Sequence, residues 1–460
     1  MSSLTATASP IRYPDAGSRT LMTRRAWWLV VLNFLIPGSP QVLAGNRRLG
    51  RFGLGTTLVL WGMLVVLAAL WFFAKTMLYS LFSTSASLWA IAAILLFYGI
   101  VWVVLTLDTL RLVRIVRTAP SARVWIAGLT TVVMVVLSGS AAYGAYLATT
   151  ASGFLSSVFQ AGPSVPPIDG KYNILLLGGD AGPDRDGLRP DSISVVSVDS
   201  TTGRSVVIGL PRDLENVPFS PGPMADKYPN GYGYDDECDV DVCQLNSIYT
   251  EVELKSPEMY PDAQAKGSEP GIEAMRDAAE GITGLPIQYY ALIDMQGFSD
   301  LIDALGGVTV DVKDRVPMGA GHDEDGNPVE ITDWIEAGVQ KLDGFHALWY
   351  ARSRYGTSDY DRMQRQGQLQ DAILQQFNPA NVLTKFQSIA AAGAQVVKTD
   401  IPQSMLGYFV DLAPKAKGQP VTRLAMVPPD VDPTAPDYDW IHQTVHAAVF
   451  PPTSSPTPKG

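Results

Sequence analysis

The hydrophobic positions divide the chain in two. Up to about residue 150 they gather in long unbroken runs; after it they come as short β-branched stretches and as stripes at helical spacing. The runs at 52–73, 88–110 and 124–148 each reach the roughly 20 apolar residues that a bilayer core requires, so each predicts a membrane-spanning helix. A fourth run, 27–43, is broken by Pro37-Gly38-Ser39-Pro40. Arginines fix the orientation, because short cytoplasmic segments collect them: Arg24 and Arg25, then Arg47, Arg48 and Arg51, then Arg111, Arg114, Arg117 and Arg123. Both flanks of 27–43 are then cytoplasmic, and the run reads as a re-entrant hairpin folded at its Pro-Gly pair. The uncharged loop 80–87 falls outside, and three spans carry everything after the third to the outer side. A four-span alternative would need the basic N-terminal flank outside. Polar residues 1–23 read as a disordered cytoplasmic tail, and 24–150 as the membrane region.

Residues 151–170, with the stiff sequence Gly162-Pro163-Ser164-Val165-Pro166-Pro167, read as a linker. The run YNILLL at 172–177 is continuous, as in a strand covered on both faces, and β-branched strands follow at 192–198 and 205–210. Each borders a polar cluster: Asp180 after the first, Arg189-Pro190-Asp191 before the second, Arg212-Asp213 after the third. One rim of the sheet would then carry two arginines and three aspartates, where α/β sheets place ligands. Helical patterns at 244–254, 271–281 and 295–305 alternate with strands at 287–293 and 307–312, and an apolar strand follows near 421–427. This alternation predicts an α/β fold, a three-layer domain over 171–448 with a mixed central sheet, and a disordered tail at 449–460.

Between 342 and 377 the chemistry concentrates. Arg352, Arg354, Arg362 and Arg365 crowd around a Tyr-Gly-Thr-Ser break at which two helices meet. Asp359 is the expected N-cap of the second helix, along which Arg362, Gln366, Leu369, Ile373 and Phe377 form one stripe, cationic at its start and apolar at its end. An inward stripe that begins with a charge needs an anion before it, and a helix N-terminus with guanidinium forks suits phosphate. Arg352 and Arg354, as alternate residues of an extended exit, would point the same way. Asp180 and Asp191 flank a polar loop so that two carboxylates could share one Mg²⁺, with Asp184 and Asp186 as competitors on spacing alone.

The remaining composition excludes more than it adds. The chain has 460 residues, a formal charge of -11 and no generally basic surface, which argues against nucleic acid as a partner. Its only cysteines, Cys238 and Cys243, sit in an acidic turn-rich loop and read as a local disulfide. There is no Gly-x4-Gly-Lys loop, and the four histidines support no acyl-transfer triad. The stretch 322–328 looks like part of a calcium loop but lacks the distal glutamate, so Asp325-Gly326-Asn327 reads as a hairpin turn.

Taken together, NILLLGGD, RPDS, IGLPRDL, the pair Asn246 and Tyr249, ALIDMQGFSDLIDALGGVTVDV, and LDGFHALWYARSR followed by DYDRMQRQ resemble the LytR-CpsA-Psr family over residues 170–390. The resemblance implies a membrane-anchored, extracytoplasmic phosphotransferase that moves a glycopolymer from a polyprenyl-pyrophosphate carrier onto peptidoglycan through a phosphodiester. It implies that Asp180 and Asp191 hold Mg²⁺ (or Mn²⁺), and that Arg189, Arg212, Arg352, Arg354, Arg362 and Gln366 grip the pyrophosphate. Asp359 becomes a supporting acid and cap, Arg365 a supporting cation, and an apolar tunnel for the prenyl chain is implied between sheet and helices. The usual single N-terminal anchor is replaced here by several spans. A peptidoglycan hydroxyl would attack the sugar-linked phosphorus, giving its proton to Asp213 or a metal-ligating aspartate. A pyrophosphate hydrolase and a non-catalytic lipid-carrier binding or scaffold protein are the alternatives.

In sealed right-side-out vesicles, external protease is expected to remove a tag at residue 460 and to spare one at residue 10. A protected C-terminal tag overturns this topology.

Overall fold

A computed structural model describes residues 11–160, 162, 164–180, 189–319, 321–322, 328–376 and 397–451, with the side chains of Asp180, Asp236, Gly321, His322, Pro328 and Val329 outside that description. The chain divides into two units, Met1–Gly153 and Phe154–Gly460.

In the first unit, Ser18 accepts a hydrogen bond from the Leu21 N–H (3.4 Å) and starts α1 (Arg19–Leu35). The helix therefore begins ahead of the tail boundary expected at 23, because a serine N-cap lies there. The chain bends at Gly38 into α2 (Ser39–Ala44). Gly38 has φ 95°, and a Cβ on it would lie 2.4 Å from the Leu54 nitrogen of α3 (Arg47–Phe73), so the bend requires glycine. Short α4 (Lys75–Phe82) leads to α5 (Ser85–Val113) and α6 (Pro120–Val158). Among the described residues α3, α5 and α6 are long and apolar enough to cross a membrane, and the hairpin α1–α2 is not. Several of its polar groups find partners within the unit: Asn33 donates to Thr106 Oγ1 (3.0 Å), Thr109 to Asn33 Oδ1 (3.0 Å) and Gln41 to the Leu105 carbonyl (2.8 Å), while Gln41 Oε1 is buried without a hydrogen bond. Residues 151–158, expected as linker, are the last turns of α6, since the single Gly153 does not end a helix and the first proline after Pro120 is Pro163.

The second unit is built on a six-stranded mixed sheet. Strands β1 (Lys171–Asp180), β2 (Arg189–Asp199) and β3 (Ser205–Leu210) run antiparallel to one another. Strand β4 (Tyr289–Asp294) lies parallel to β1, and the order across the sheet is β11 (Val397–Thr399), β4, β1, β2, β3, β12 (Thr422–Ala425). Alternation along β1 covers both faces. Leu175 and Leu177 pack with Ile193, Val195 and Ile208 against α8 (Ile248–Lys255), α9 (Pro270–Thr283) and α14 (Tyr438–Val449), while short α7 (Pro223–Lys227) adds Met224 to that layer. Tyr172 and Tyr289 face Met405 and Phe409 of α13 (Gln403–Lys417).

A second core joins α10 (Met295–Leu305), β5 (Val308–Val312) and its antiparallel partner β10 (Gly338–Leu342), α11 (Gly344–Arg352) and α12 (Asp359–Gln376). Helices α10 and α11 touch so closely that a Cβ on Gly344 would sit 2.1 Å from the Ser299 carbonyl oxygen. Two small ladders complete the unit: β6 (Val316–Met318) with β9 (Asp333–Ile335), and β7 (Gly321–His322) with β8 (Pro328–Val329). The latter pair flanks the expected turn Asp325-Gly326-Asn327, which lies outside the described residues, as do 1–10 and 452–460. Cys238 and Cys243 form the expected disulfide, with Cα atoms 5.7 Å apart.

On α9, burial pushes the Asp277 carboxyl up from 3.8 to about 6, although the Tyr260 hydroxyl (2.5 Å) and Ser220 Oγ (3.2 Å) donate to it. A carboxyl raised on folding favours the folded state when protonated, so its contribution is complete below about pH 4 and is lost as pH rises through about 6. The expected loss from this group is at most about 3 kcal/mol. Denaturant titrations at pH 4 to 7 should show that Asp277→Asn lacks this fall; parallel curves for variant and wild type would refute it.

Candidate active site

The rim of the sheet and the start of α12 converge because of three local devices. A register shift between Gly178 and Gly179 pairs Gly178 with Ser192 but Gly179 with Pro190, leaving Asp191 unpaired in the ladder and free to be re-aimed. The loop after β3 is held by Leu245 and Asn246, whose N–H groups donate to the carbonyls of Leu214 (2.9 Å) and Arg212 (3.0 Å). Helix α12 is capped by Ser358, which exchanges hydrogen bonds with Asp361: Ser358 N–H to Asp361 Oδ2 (2.8 Å), Asp361 N–H to Ser358 Oγ (3.1 Å). The cap expected at Asp359 is thus one residue earlier, which releases the Asp359 carboxylate into the site.

There it meets three guanidinium groups. Arg362 Nη2 donates to Asp359 Oδ2 (2.8 Å) and to the Asp191 carbonyl (3.1 Å), while Arg212 Nη1 donates to Asp191 Oδ1 (2.8 Å) and its Nε lies 3.4 Å from Asp359. Arg354, half exposed, lies 3.6 Å from Asp359 and 3.9 Å from Asp191. Only 2% of the Arg362 side chain is accessible, and its Nε, like that of Arg212, has no hydrogen-bond partner. Burial lowers the Arg362 pKa despite Asp359 and Asp191, with Arg354 and Arg212 adding to the drop. For Arg212 burial also opposes the charge, but Asp191 and Asp359 outweigh it and the pKa rises. An arginine does not shed its proton, so the lowered value at Arg362 marks a buried cation that is under-compensated.

From this charged end a cavity of about 980 Å³ extends between β1 and β4 on one side and α10, α11 and α12 on the other. It is as large as the upper end of small-molecule sites, roughly 300–1,000 Å³. Arg362, Gln366, Leu369 and Ile373 all line it, so the stripe read along α12 is one wall; Phe377 lies outside the described residues. Leu176 and Ile293 form the floor, and Phe298, Leu301 and Trp349 the opposite wall. The last three were not singled out in the sequence, although Trp349 belongs to the helically spaced stripe Phe345, Leu348, Trp349 and Arg352, and Phe298 and Leu301 stand three apart on the helical pattern at 295–305.

The remaining expected residues divide. Arg352 lines the cavity with its guanidinium 5.3 Å from the Trp349 ring, but as the last residue of α11 rather than in an extended exit. Gln366 Nε2 donates to the Ala351 carbonyl (3.1 Å), tying α12 to α11. Arg365 turns away from the cavity: its Nε donates to the Tyr350 carbonyl (2.9 Å) and its Nη2 to that of Ser353, so it holds the bend between helices. Arg189 is exposed and is not among the described residues that line the cavity. Asp213 is half-buried beside Arg212, with Oδ1 enclosed and unpartnered. The side chain of Asp180, and all of Asp184 and Asp186, lie outside the described residues; the ladder nonetheless carries the Asp180 backbone to the strand end, opposite Arg189.

Among the described residues no group of three or more His, Cys, Asp or Glu is arranged to hold a metal ion. Two carboxylates completed by phosphate oxygens and water would not form such a group. Asp191 Oδ2 keeps 3.9 and 4.0 Å from the nearest guanidinium nitrogens and Asp359 Oδ1 is enclosed without a hydrogen bond, so hard oxygen donors remain at this end of the cavity.

A family model described as the LytR_cpsA_psr family matches residues 159–427. Over 249 residues the chain is 27% identical to Biofilm regulatory protein A of Streptococcus mutans, covering 52% of this chain and 53% of that protein. Over 232 residues it is 28% identical to the polyisoprenyl-teichoic acid–peptidoglycan teichoic acid transferase TagU of Halalkalibacterium halodurans, covering 50% of this chain and 61% of that protein. The chain thus spans little more than half the length of these curated relatives. Among solved structures, TagV of B. subtilis superposes with a TM-score of 0.41 at 21% identity, covering 61% of this chain and 97% of that one.

Two arginines three residues apart should therefore behave differently. Arg365→Ala is expected to cost about 1–3 kcal/mol in unfolding free energy by stranding buried carbonyls. Arg362→Ala should leave stability within about 1 kcal/mol, removing a charge that burial disfavours, while abolishing binding of inorganic pyrophosphate, the anion used to probe this charged end. Denaturant melts and direct titration separate the two; equal stability loss would refute the distinction.

Proposed function

Because the chain belongs to the LytR_cpsA_psr family, we propose that it is a membrane-anchored phosphotransferase that passes a glycopolymer from a polyprenyl-diphosphate carrier to peptidoglycan. The observation that carries this reading is the two-ended cavity of about 980 Å³: a buried, under-compensated Arg362 at one end and aliphatic and aromatic walls toward the other. A polyprenyl diphosphate has the same two ends. The relative named for transferring teichoic acid to peptidoglycan acts on a polyisoprenyl-linked polymer by that name, which supports the same reaction class here. The apolar helices α3, α5 and α6 support membrane anchoring, and the arginine-rich segments between them support an outer location for the second unit.

In this reading the guanidinium groups of Arg212, Arg354 and Arg362 leave Asp191 and Asp359 in part for the diphosphate oxygens, with Arg352 at the mouth. The acceptor hydroxyl forms a new bond to the sugar-linked phosphorus as the bridging P–O bond breaks, and polyprenyl phosphate carries away the electron pair. Fixed positive charge beside the bridging oxygen stabilises this charge where it develops, without reorganisation. The proton of the acceptor goes to a carboxylate, for which the unpartnered Oδ1 of Asp213 is the candidate. Asp180 and Asp191 would hold a Mg²⁺ or Mn²⁺ ion, which when bound supplies further neutralisation of the diphosphate.

Incubating the full chain with labelled lipid-linked polymer and peptidoglycan is expected to give covalent label in the peptidoglycan. Free sugar phosphate instead would indicate hydrolysis. Chelation should lower the rate at least tenfold, restored by Mg²⁺ or Mn²⁺, and Asp191→Asn should lower it by about 10²–10³. Donor binding without transfer, unaffected by chelation, would identify a carrier-binding protein.

A further inference from the structure

Of the arginines at the charged end of the cavity, Arg212, Arg354 and Arg362 share Asp191 and Asp359. Arg352 takes no part in that exchange. It is the last residue of α11, where the free carbonyls of a helix end would normally offer a guanidinium its acceptors. Here those carbonyls are already in use. That of Trp349 accepts the Ser353 N–H (2.9 Å), that of Tyr350 accepts Arg365 Nε (2.9 Å) and that of Ala351 accepts Gln366 Nε2 (3.1 Å). Among the described residues the Arg352 guanidinium makes no hydrogen bond or ion pair; the group it meets is the Trp349 indole, whose ring centre lies 5.3 Å from the guanidinium carbon.

The two residues stand three apart on one face of α11, and both line the cavity. An exposed arginine at a helix end is free to adopt many rotamers, and ordering it on a ligand costs side-chain entropy. An indole face attracts a guanidinium through its quadrupole and leaves the charge in place. Trp349 is itself half-buried and packs edge-on against Phe345, with ring centres 6.4 Å apart. Arg212, Arg354 and Arg362 must each leave a carboxylate in part when an anion arrives, whereas Arg352 has no anion to give up.

We propose that Trp349 is a positioning residue for phosphoryl transfer: its indole face holds the Arg352 guanidinium at the charged end of the cavity, ready for an oxygen of the diphosphate. The inference rests on the phosphotransferase reading for its ligand and adds a residue that acts only through Arg352. Trp349 also belongs to the aromatic wall, and the two roles fall on different parts of one donor. A wall residue acts on the prenyl tail alone. A positioning residue acts also on a diphosphate that has no tail.

The probe is therefore inorganic pyrophosphate, titrated calorimetrically into the full chain in lipid nanodiscs at fixed Mg²⁺. Trp349→Leu keeps an apolar side chain and is expected to weaken pyrophosphate binding about fivefold, and Trp349→Phe, which keeps a π face, by less than about twofold. Arg352→Gln should weaken it about tenfold, and on that background Trp349→Leu should make no further difference, because both act through one contact. Should Trp349→Leu fail to fold, Arg352→Lys decides, since it keeps the tryptophan and the charge but not the planar group that stacks. A loss of about fivefold or more in Arg352→Lys supports the positioning role, and wild-type affinity overturns it. Pyrophosphate binding unchanged by Trp349→Leu, or weakened by the same factor with and without Arg352, also overturns the inference and leaves Trp349 as wall alone. Coupled loss of pyrophosphate binding in a chain that transfers nothing from a lipid-linked donor would sink the transferase reading and leave the positioning role standing. Transfer by a wild-type chain that does not bind pyrophosphate would sink the positioning role and keep the reading.

Discussion

A guanidinium group with almost no access to water has to find its counter-charge within the protein, and at Arg362 that requirement organises everything around it. Asp359 comes from its own first helical turn, and the Asp191 carbonyl and carboxylate from a strand 171 residues away in sequence. Each is shared: Asp191 also serves Arg212, and Asp359 serves Arg212 and Arg354. Three cations therefore draw on two anions, and two enclosed Nε–H groups make no hydrogen bond. Burying unpaired donors costs free energy that stability alone would select against. A site left in this condition is set to be completed by a ligand with several acceptor oxygens, and the same incompleteness would make such a ligand a stabiliser of the fold.

The network explains why the remote parts of the sheet must be fixed with precision. The irregularity between Gly178 and Gly179 takes Asp191 out of the alternation that would otherwise send it to a face of the sheet. The carbonyl of Arg212 is pinned by Asn246, and Asn246 leads into α8, whose Glu251 is wholly enclosed yet accepts from Lys227 (2.8 Å), Tyr228 (2.5 Å), Tyr232 (2.9 Å) and the Asp239 N–H (3.0 Å). A carboxylate satisfied by four donors is a rigid post. The disulfide between Cys238 and Cys243 closes the same loop, so the fastening reaches the active end of β3 through backbone hydrogen bonds rather than through the bridge itself.

How much of this could be read in advance depends on how local the signal was. The strand at 205–210 and the helix at 295–305 matched their observed limits because a β-branched run and an Asp294 N-cap are contained in a few residues. The stripe on α12 was equally legible, since helical spacing alone puts Arg362, Gln366, Leu369 and Ile373 on one wall. The ladder of β6 with β9 and the edge strand β11, three residues long each, carry no periodicity and were not read from the sequence, whereas β7 and β8 were foreseen only as the flanks of a hairpin turn. Arg365 illustrates a different limit. Its chemistry is that of Arg362, but three residues further along the helix it faces the carbonyls of Tyr350 and Ser353, and a cluster of like residues cannot tell a ligand-facing member from a loop-bracing one. The pairing of Asp191 with Arg212 was implicit in the polar rim, whereas the sharing of Asp359 among three arginines follows only from where Ser358 starts the helix.

One helix thus carries both the charged start and the apolar continuation of the cavity, and the two must keep a fixed separation if a single amphiphile is to satisfy both. The helix is fastened at three places that have no chemistry of their own: the exchange between Ser358 and Asp361 at its start, the two-pronged contact of Arg423 with Asp371 (2.9 and 2.6 Å) from β12, and the paired hydrogen bonds between Gln376 and the Thr309 backbone (2.9 and 2.8 Å). Arg423 and Asp371 are each about one third exposed, a setting in which an ion pair contributes roughly 0–1 kcal/mol, so stability is a poor reason for so directional a contact. Bidentate geometry fixes orientation where it adds little energy. Fastened between one edge of the sheet and the ladder beyond its other side, α12 keeps Arg362 and Ile373 on a common line, and the separation of the cavity's charged and apolar ends is then set by the fold before anything binds.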